Sequence, residues 1–237
     1  MKSVRFPTLS ADVVSRVLRR SVEATADQIV EQCGGGGFDI YKSAWLSSPS
    51  VYGTRLSFES LTRGWPDTLS YRMSAGVVRE VARVASARDV MCHRLPGRLF
   101  RIRPDLAIGL PRSFYFSASG KIHLFDLQPR KTKIPSPRQL GIRSSISLEA
   151  SQSHPDLMDA EVELVECGPQ YVNGPHRGRL FKSQDLEISR GLDLTALLQV
   201  YADAWDLLQA KRPEFVLKAL TKAVKKAQKP DSQPYWF

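Results

Sequence analysis

The sequence is poor in cysteine and histidine and has no long apolar run. Three cysteines in 237 residues, Cys33, Cys92 and Cys167, are widely spaced and form no CxxC pair. That argues against both a disulfide framework and a thiolate zinc site, and the expectation is three reduced, packed thiols. The four histidines, His93, His123, His154 and His176, show no HxH or HxxxH spacing, which argues against an imidazole zinc site. Every apolar stretch is broken by a charge, Gly or Pro well short of the ~18 residues of a membrane span. Lys2 and Arg5 have no apolar segment behind them, and Asp12, Arg16, Arg19 and Arg20 occupy the region where a signal peptide would be greasy. The expectation is a cytoplasmic protein with no membrane partner.

Acidic residues are also scarce: 24 against 34 lysines and arginines, a formal net charge of +10. Polyanions are therefore the partners to expect. The excess is local. From Arg94 to Arg143 stand Arg94, Arg98, Arg101, Arg103, Arg112, Lys121, Arg130, Lys131, Lys133, Arg138 and Arg143, interrupted only by Asp105 and Asp126. A second basic run extends from Lys211 to Lys229, with Glu214 as its one acid. Charge concentrated in this way suits a binding face better than general solubility.

Periodicity supplies the elements. Val13, Val14, Val17, Leu18, Val22, Ile29 and Val30 recur at helical spacing and predict one helix over 10–33, closed by Gly34-Gly35-Gly36-Gly37. Residues 38–66 scatter aromatics among Ser, Gly and Pro, which suggests short strands or an irregular lobe. A helix is expected over 67–88, with Asp67 as its N-cap, and another from Ser136-Pro137 to about Ser151. Extended runs are expected at 99–102, at 106–110 continuing irregularly through 114–116, at 122–127 and at 161–167, with a further short strand at 179–181. Ser117-Ala118-Ser119-Gly120 marks a hairpin turn. Helices over 193–211 and 213–227 end the series. Strands on either side of the 136–151 helix should lie parallel in one sheet.

Along the strand Lys121 to Gln128, side chains alternate, so Ile122, Leu124, Asp126 and Gln128 share a face that is apolar first and polar last. A strand end of this kind can open toward a ligand. Asp105, directly after Pro104, begins the preceding extended run. Two carboxylates from adjacent strands could hold Mg²⁺ or Mn²⁺, hard cations that prefer oxygen and can activate water at a phosphodiester. A regular hairpin turning at Ala118-Ser119 sets Asp105 against Thr132, so a shared ion requires an irregular crossing near Pro111-Arg112.

Arg103-Pro104-Asp105 and, twenty residues on, Asp126-Leu127-Gln128 resemble the PD-(D/E)xK pattern of the restriction-endonuclease-like nucleases. The helix, three strands, helix, strand order read over about 67–167 resembles their core. The resemblance implies metal ligands at Asp105 and Asp126, with help from Glu80 on the preceding helix. It places Gln128 where the family's lysine positions or activates water. Gln128 departs from that lysine in charge, and Lys131 is the residue that could substitute in space.

The resulting expectation is an α/β fold with a central mixed sheet flanked by helices. An N-terminal extension (1–66) and C-terminal helices with a basic tail (192–237) would flank a nuclease-like core (67–191). Its activity would be Mg²⁺-dependent hydrolysis of nucleic acid, DNA foremost, with Arg130, Lys131, Lys133 and Arg138 on the phosphates. The alternative is a non-catalytic module of the same fold that grips nucleic acid or an acidic protein. The C-terminal helices are candidates for homodimer or partner contacts.

Overall fold

A computed structural model describes residues 6–33, 41–53, 56–85, 90–110, 113–129, 135–152, 154–169, 174–183, 185–186 and 193–227. The chain divides into two compact units. One comprises Met1–Gly36, Leu99–Gly109 and Leu194–Phe237, the other Gly37–Arg98 and Leu110–Asp193. Both are α/β, each with a sheet flanked by helices.

The first unit begins with β1 (Leu9–Ser10) and α1 (Ala11–Val17), capped by Ser10, whose hydroxyl accepts from the Val13 N–H. The single helix expected over 10–33 is in fact two. Leu18 adopts an extended conformation, and the Arg19 N–H turns to the Thr25 hydroxyl at 3.0 Å. The Ser21 hydroxyl then accepts from the Ala24 N–H at 3.2 Å as α2 (Val22–Cys33) begins. Side-chain capping bonds outcompete helix continuation here, although the apolar period runs unbroken through the junction. The Gly34–Gly37 run lies outside the described residues.

In the second unit, α3 (Lys42–Gly53) and α4 (Phe58–Thr62) occupy the stretch expected to hold strands or an irregular lobe. The Ser48 hydroxyl donates to the Ala44 carbonyl inside α3, and Pro49 lies within that helix. The expected long helix is α5 (Leu69–Ala85), followed by β2 (Cys92–Leu95). The chain then returns to the first unit for β3 (Arg98–Arg103) and β4 (Leu106–Leu110), which form a three-stranded sheet in the order β1-β4-β3. The run expected to continue from 106–110 through 114–116 therefore changes sheet, because β5 (Ser113–Ala118) belongs to the second unit.

β5 and β6 (Lys121–Gln128) make the expected hairpin. Ser119 (φ 52°) and Gly120 (φ 74°) both take the left-handed conformation of a two-residue turn matched to strand twist. α6 (Pro137–Glu149), capped reciprocally by Ser136 and Gln139, leads to β7 (Glu161–Pro169), which is parallel to β6 as expected. β8 (His176–Lys182) completes the sheet order β2-β5-β6-β7-β8.

One face of this sheet buries Phe114, Phe116, Phe125, Leu127, Val165 and Cys167 against Tyr52 of α3 and Val77, Val78 and Val81 of α5. On the other face Val162 and Leu164 pack with Leu140 of α6, and Leu124 with Leu95 and Leu157. Strand β7 is covered on both sides, which makes its two buried glutamates, Glu163 and Glu166, conspicuous. α7 (Leu194–Lys211) and α8 (Pro213–Ala227) belong to the first unit, where Trp205 of α7 lies 5.6 Å from Phe6, ring centre to ring centre.

Candidate functional site

Alternation along β6 carries Leu124, Asp126 and Gln128 to the face lined by Leu140, Val162 and Leu164. The parallel register pairs Asp126 with Leu164 and Gln128 with Glu166. Asp126, Gln128 and Glu166 are 4%, 2% and 0% exposed, and Arg143, reaching down from α6, is 4% exposed. Four polar side chains are thus buried at the C-terminal ends of two parallel strands.

Arg143 organises them. Its Nε donates to Asp126 Oδ2 at 2.7 Å, and Nη2 donates to Asp126 Oδ1 at 2.6 Å and to the Leu127 carbonyl at 2.8 Å. Nη1 donates to Gln128 Oε1. Asp126 Oδ1 also accepts the Leu127 N–H at 2.9 Å. The guanidinium carbon lies 5.9 Å from the centre of the Trp45 ring. Both charges are removed from water, a cost that the forked charge-assisted bonds offset only because nearly every donor has an acceptor.

Glu166 is less completely satisfied. Its Oε2 accepts from Arg179 Nε at 2.8 Å and Nη2 at 2.7 Å, whereas Oε1 is buried with no hydrogen-bond partner among the described residues. Gly168 makes room for it: a Cβ there would stand 2.1 Å from Glu166 Oε1. On the opposite face Glu163, 1% exposed, accepts from the Tyr52 hydroxyl at 2.8 Å.

Asp105 belongs to the first unit, in the turn between β3 and β4, where its Oδ1 accepts from Arg103 Nε at 2.8 Å. Asp126 lies in the second unit, and one step beyond the Phe114–Phe125 pair its neighbour on β5 is Ser113, whose hydroxyl donates to the Phe125 carbonyl. Glu80, on α5, accepts from the Gly178 N–H at 2.7 Å, and Arg83 Nη2 donates to the Gly178 carbonyl at 2.6 Å. Together the two side chains grip both polar groups of one β8 residue. Arg138 is partly exposed in the first turn of α6, whereas Arg130, Lys131 and Lys133 lie outside the described residues.

In this structure a guanidinium, not a divalent ion, takes up the oxygens of Asp126 and Gln128. Both Asp126 oxygens and the Gln128 carbonyl oxygen are already bonded to a buried cation, and the described residues contain no group of three or more His, Cys, Asp or Glu arranged to hold a metal. Nor do the cysteines offer an activated nucleophile: burial pushes the Cys33 and Cys92 thiols up to about 11, and Cys167 is raised further by burial and then by neighbouring Glu166.

Alternation in the sequence put Asp126 and Gln128 on one face but did not single out Arg143 and Glu166, which are buried beside them. Arg143 stands three residues after Leu140, an inward position of α6, and an arginine on an otherwise core-facing stripe was the available signal. Glu163 and Glu166 were signalled by their presence in a strand that is otherwise apolar from Val162 to Cys167. Among the described residues no helix is long and apolar enough to cross a membrane. A scan against models of known protein families returns no match, and no curated protein matches the chain.

Proposed function

We propose that this chain is a nucleic-acid-binding protein whose restriction-endonuclease-like core does not carry out metal-dependent cleavage. The core reading is supported by the second unit's order of α5, β2, β5, β6, α6 and β7, with the last two strands parallel across a helix. The observation that carries the non-catalytic reading is the Arg143 guanidinium bonded to both oxygens of Asp126 and to Gln128. The guanidinium already supplies this carboxylate with the counter-charge and hydrogen bonds that a metal would otherwise provide, which supports the non-catalytic reading.

Nucleic acid is favoured as the polyanion because arginine and lysine at 130, 131, 133 and 138 follow the polar end of β6 within ten residues. Each such residue that neutralises a phosphate releases counterions, so affinity should fall steeply with salt. Fluorescence anisotropy with labelled duplex and single-stranded DNA across a salt series tests this. Replacing Arg130, Lys131, Lys133 and Arg138 together by alanine should flatten the log–log salt slope by about 3–4, from a contribution of ~0.9 for each neutralised phosphate. No binding at low salt would overturn the nucleic-acid reading. Mg²⁺- or Mn²⁺-dependent cleavage abolished by Asp126→Ala would restore the nuclease.

A further inference from the structure

Arg143 is surrounded by four oxygens from three successive residues: Asp126 Oδ1 and Oδ2, the Leu127 carbonyl and Gln128 Oε1. Two carboxylate oxygens, one backbone carbonyl and one amide carbonyl make a donor set suited to a hard cation. We propose that Arg143 is the resident cation of this oxygen cage, and that shortening it opens a divalent-cation site in which Glu166 is the next ligand.

Charge balance supports the assignment. Asp126 and Glu166 carry two negative charges, which Arg143 and Arg179 balance, and Arg179 is already bonded to the far oxygen of Glu166. Without Arg143 the cluster holds one uncompensated buried negative charge, an arrangement that binds a cation or takes up a proton. Glu166 Oε1 is a second and independent indication. It is fully buried, has no partner among the described residues, and belongs to the residue registered beside Gln128 on a strand ~4.8 Å away. A buried carboxylate oxygen without a donor marks a place where an ion or water completes the shell. The inference deepens the reading above by naming what fills the cage, and does not require the partner to be nucleic acid.

Mn²⁺ is the probe, followed by electron paramagnetic resonance and thermal unfolding of the full-length protein. The wild type should behave identically to Asp126→Asn in Mn²⁺ titrations, because the cage is full. Arg143→Ala should gain one site with a dissociation constant on the order of 1 mM, as in weak oxygen-ligand sites. Its melting temperature should rise by about 2–4 °C in ~5 mM MnCl₂. That gain should disappear on adding Asp126→Asn and weaken severalfold on adding Glu166→Gln. If Arg143→Ala does not fold by itself, recovery of its folded circular dichroism on refolding with Mn²⁺ supports the proposal, and failure to recover overturns it. A folded Arg143→Ala without Mn²⁺ binding, or a wild-type Mn²⁺ site lost in Asp126→Asn, also overturns it. DNA affinity of the wild type is measured separately, so failure of the nucleic-acid reading leaves these outcomes unchanged.

Discussion

Arg103 and Arg143 each grip aspartate side chains through several guanidinium nitrogens, but one works in partial contact with water and the other away from it. Arg103, in the first unit, bonds Asp206 with Nη1 at 2.7 Å and Nη2 at 2.6 Å, and its Nε reaches Asp105 at 2.8 Å. Its side chain is 28% exposed, with Asp206 at 54% and Asp105 at 32%. Arg143 and Asp126, in the second unit, are 5% and 6% exposed by side chain. The bond geometry is much alike, so burial is what separates them. A solvated pair can lose a partner and recover hydration, whereas a buried one leaves an uncompensated charge.

The largest effect is therefore expected at Asp126. Asp126→Ala should destabilise the protein by about 3–5 kcal/mol, chiefly because Arg143 remains buried without its counter-charge. Urea unfolding followed by circular dichroism measures it. Replacing both partners, as Asp126→Asn with Arg143→Met, should cost clearly less than Asp126→Ala alone. If the double variant is the less stable of the two, desolvation is not the term that distinguishes the buried network.

An intermediate effect is expected where a buried carboxylate loses a neutral donor. Tyr52→Phe removes the hydroxyl that donates to Glu163 at 2.8 Å while leaving the ring packed among Phe114, Phe116 and Phe125. The aromatic contacts survive and the loss should be about 1–3 kcal/mol, the cost of leaving a buried acceptor short of one bond. The same urea titration reads it. A loss as large as that of Asp126→Ala would mean that net charge is not what ranks these sites.

Legibility followed the same division. Helices α5 and α7 could be read because their apolar residues keep a helical period, α6 because Ser136-Pro137 is a start signal, and strands β6 and β7 because they are short apolar runs of strand length. α3 could not: KSAWLSSPSVYG mixes Ser, Pro and aromatics, and it is a helix because Ala44, Val51 and Tyr52 pack into the core of its unit. The change of sheet between β4 and β5 left no periodic trace either, since both flanks are apolar and extended. At the candidate site, alternation identified Asp126 and Gln128 as sharing a face. The partner bonded to both lies 17 residues from Asp126, at the end of a run of basic residues where it counted as one more charge of a binding face.

That misreading also changes the charge account. Arg143 is neutralised internally by Asp126, Arg103 by Asp105 and Asp206, and Lys121 by Glu161, two of these acids lying outside the basic window. A count along the sequence therefore overstates the cationic surface open to a polyanion. The binding reading proposed above rests on Arg130, Lys131, Lys133 and Arg138, none of which is among these three.

The smallest effect is expected at the solvated network, and salt gives it a distinct signature. Asp206→Ala leaves Arg103 bonded to Asp105 and lying over the Phe6 ring at 5.4 Å, so the guanidinium keeps a counter-charge, an aromatic face and water. The loss should be about 0.2–1 kcal/mol at low ionic strength. It should shrink toward zero near 1 M NaCl, where screening acts over only ~3 Å. The Asp126→Ala deficit should persist at the same salt, because ions do not enter the buried cluster. Urea titrations of both variants at low and high salt make the comparison. An Asp206→Ala deficit that is large and independent of salt would show that Arg103 is held as tightly as Arg143, and exposure would no longer separate the two networks.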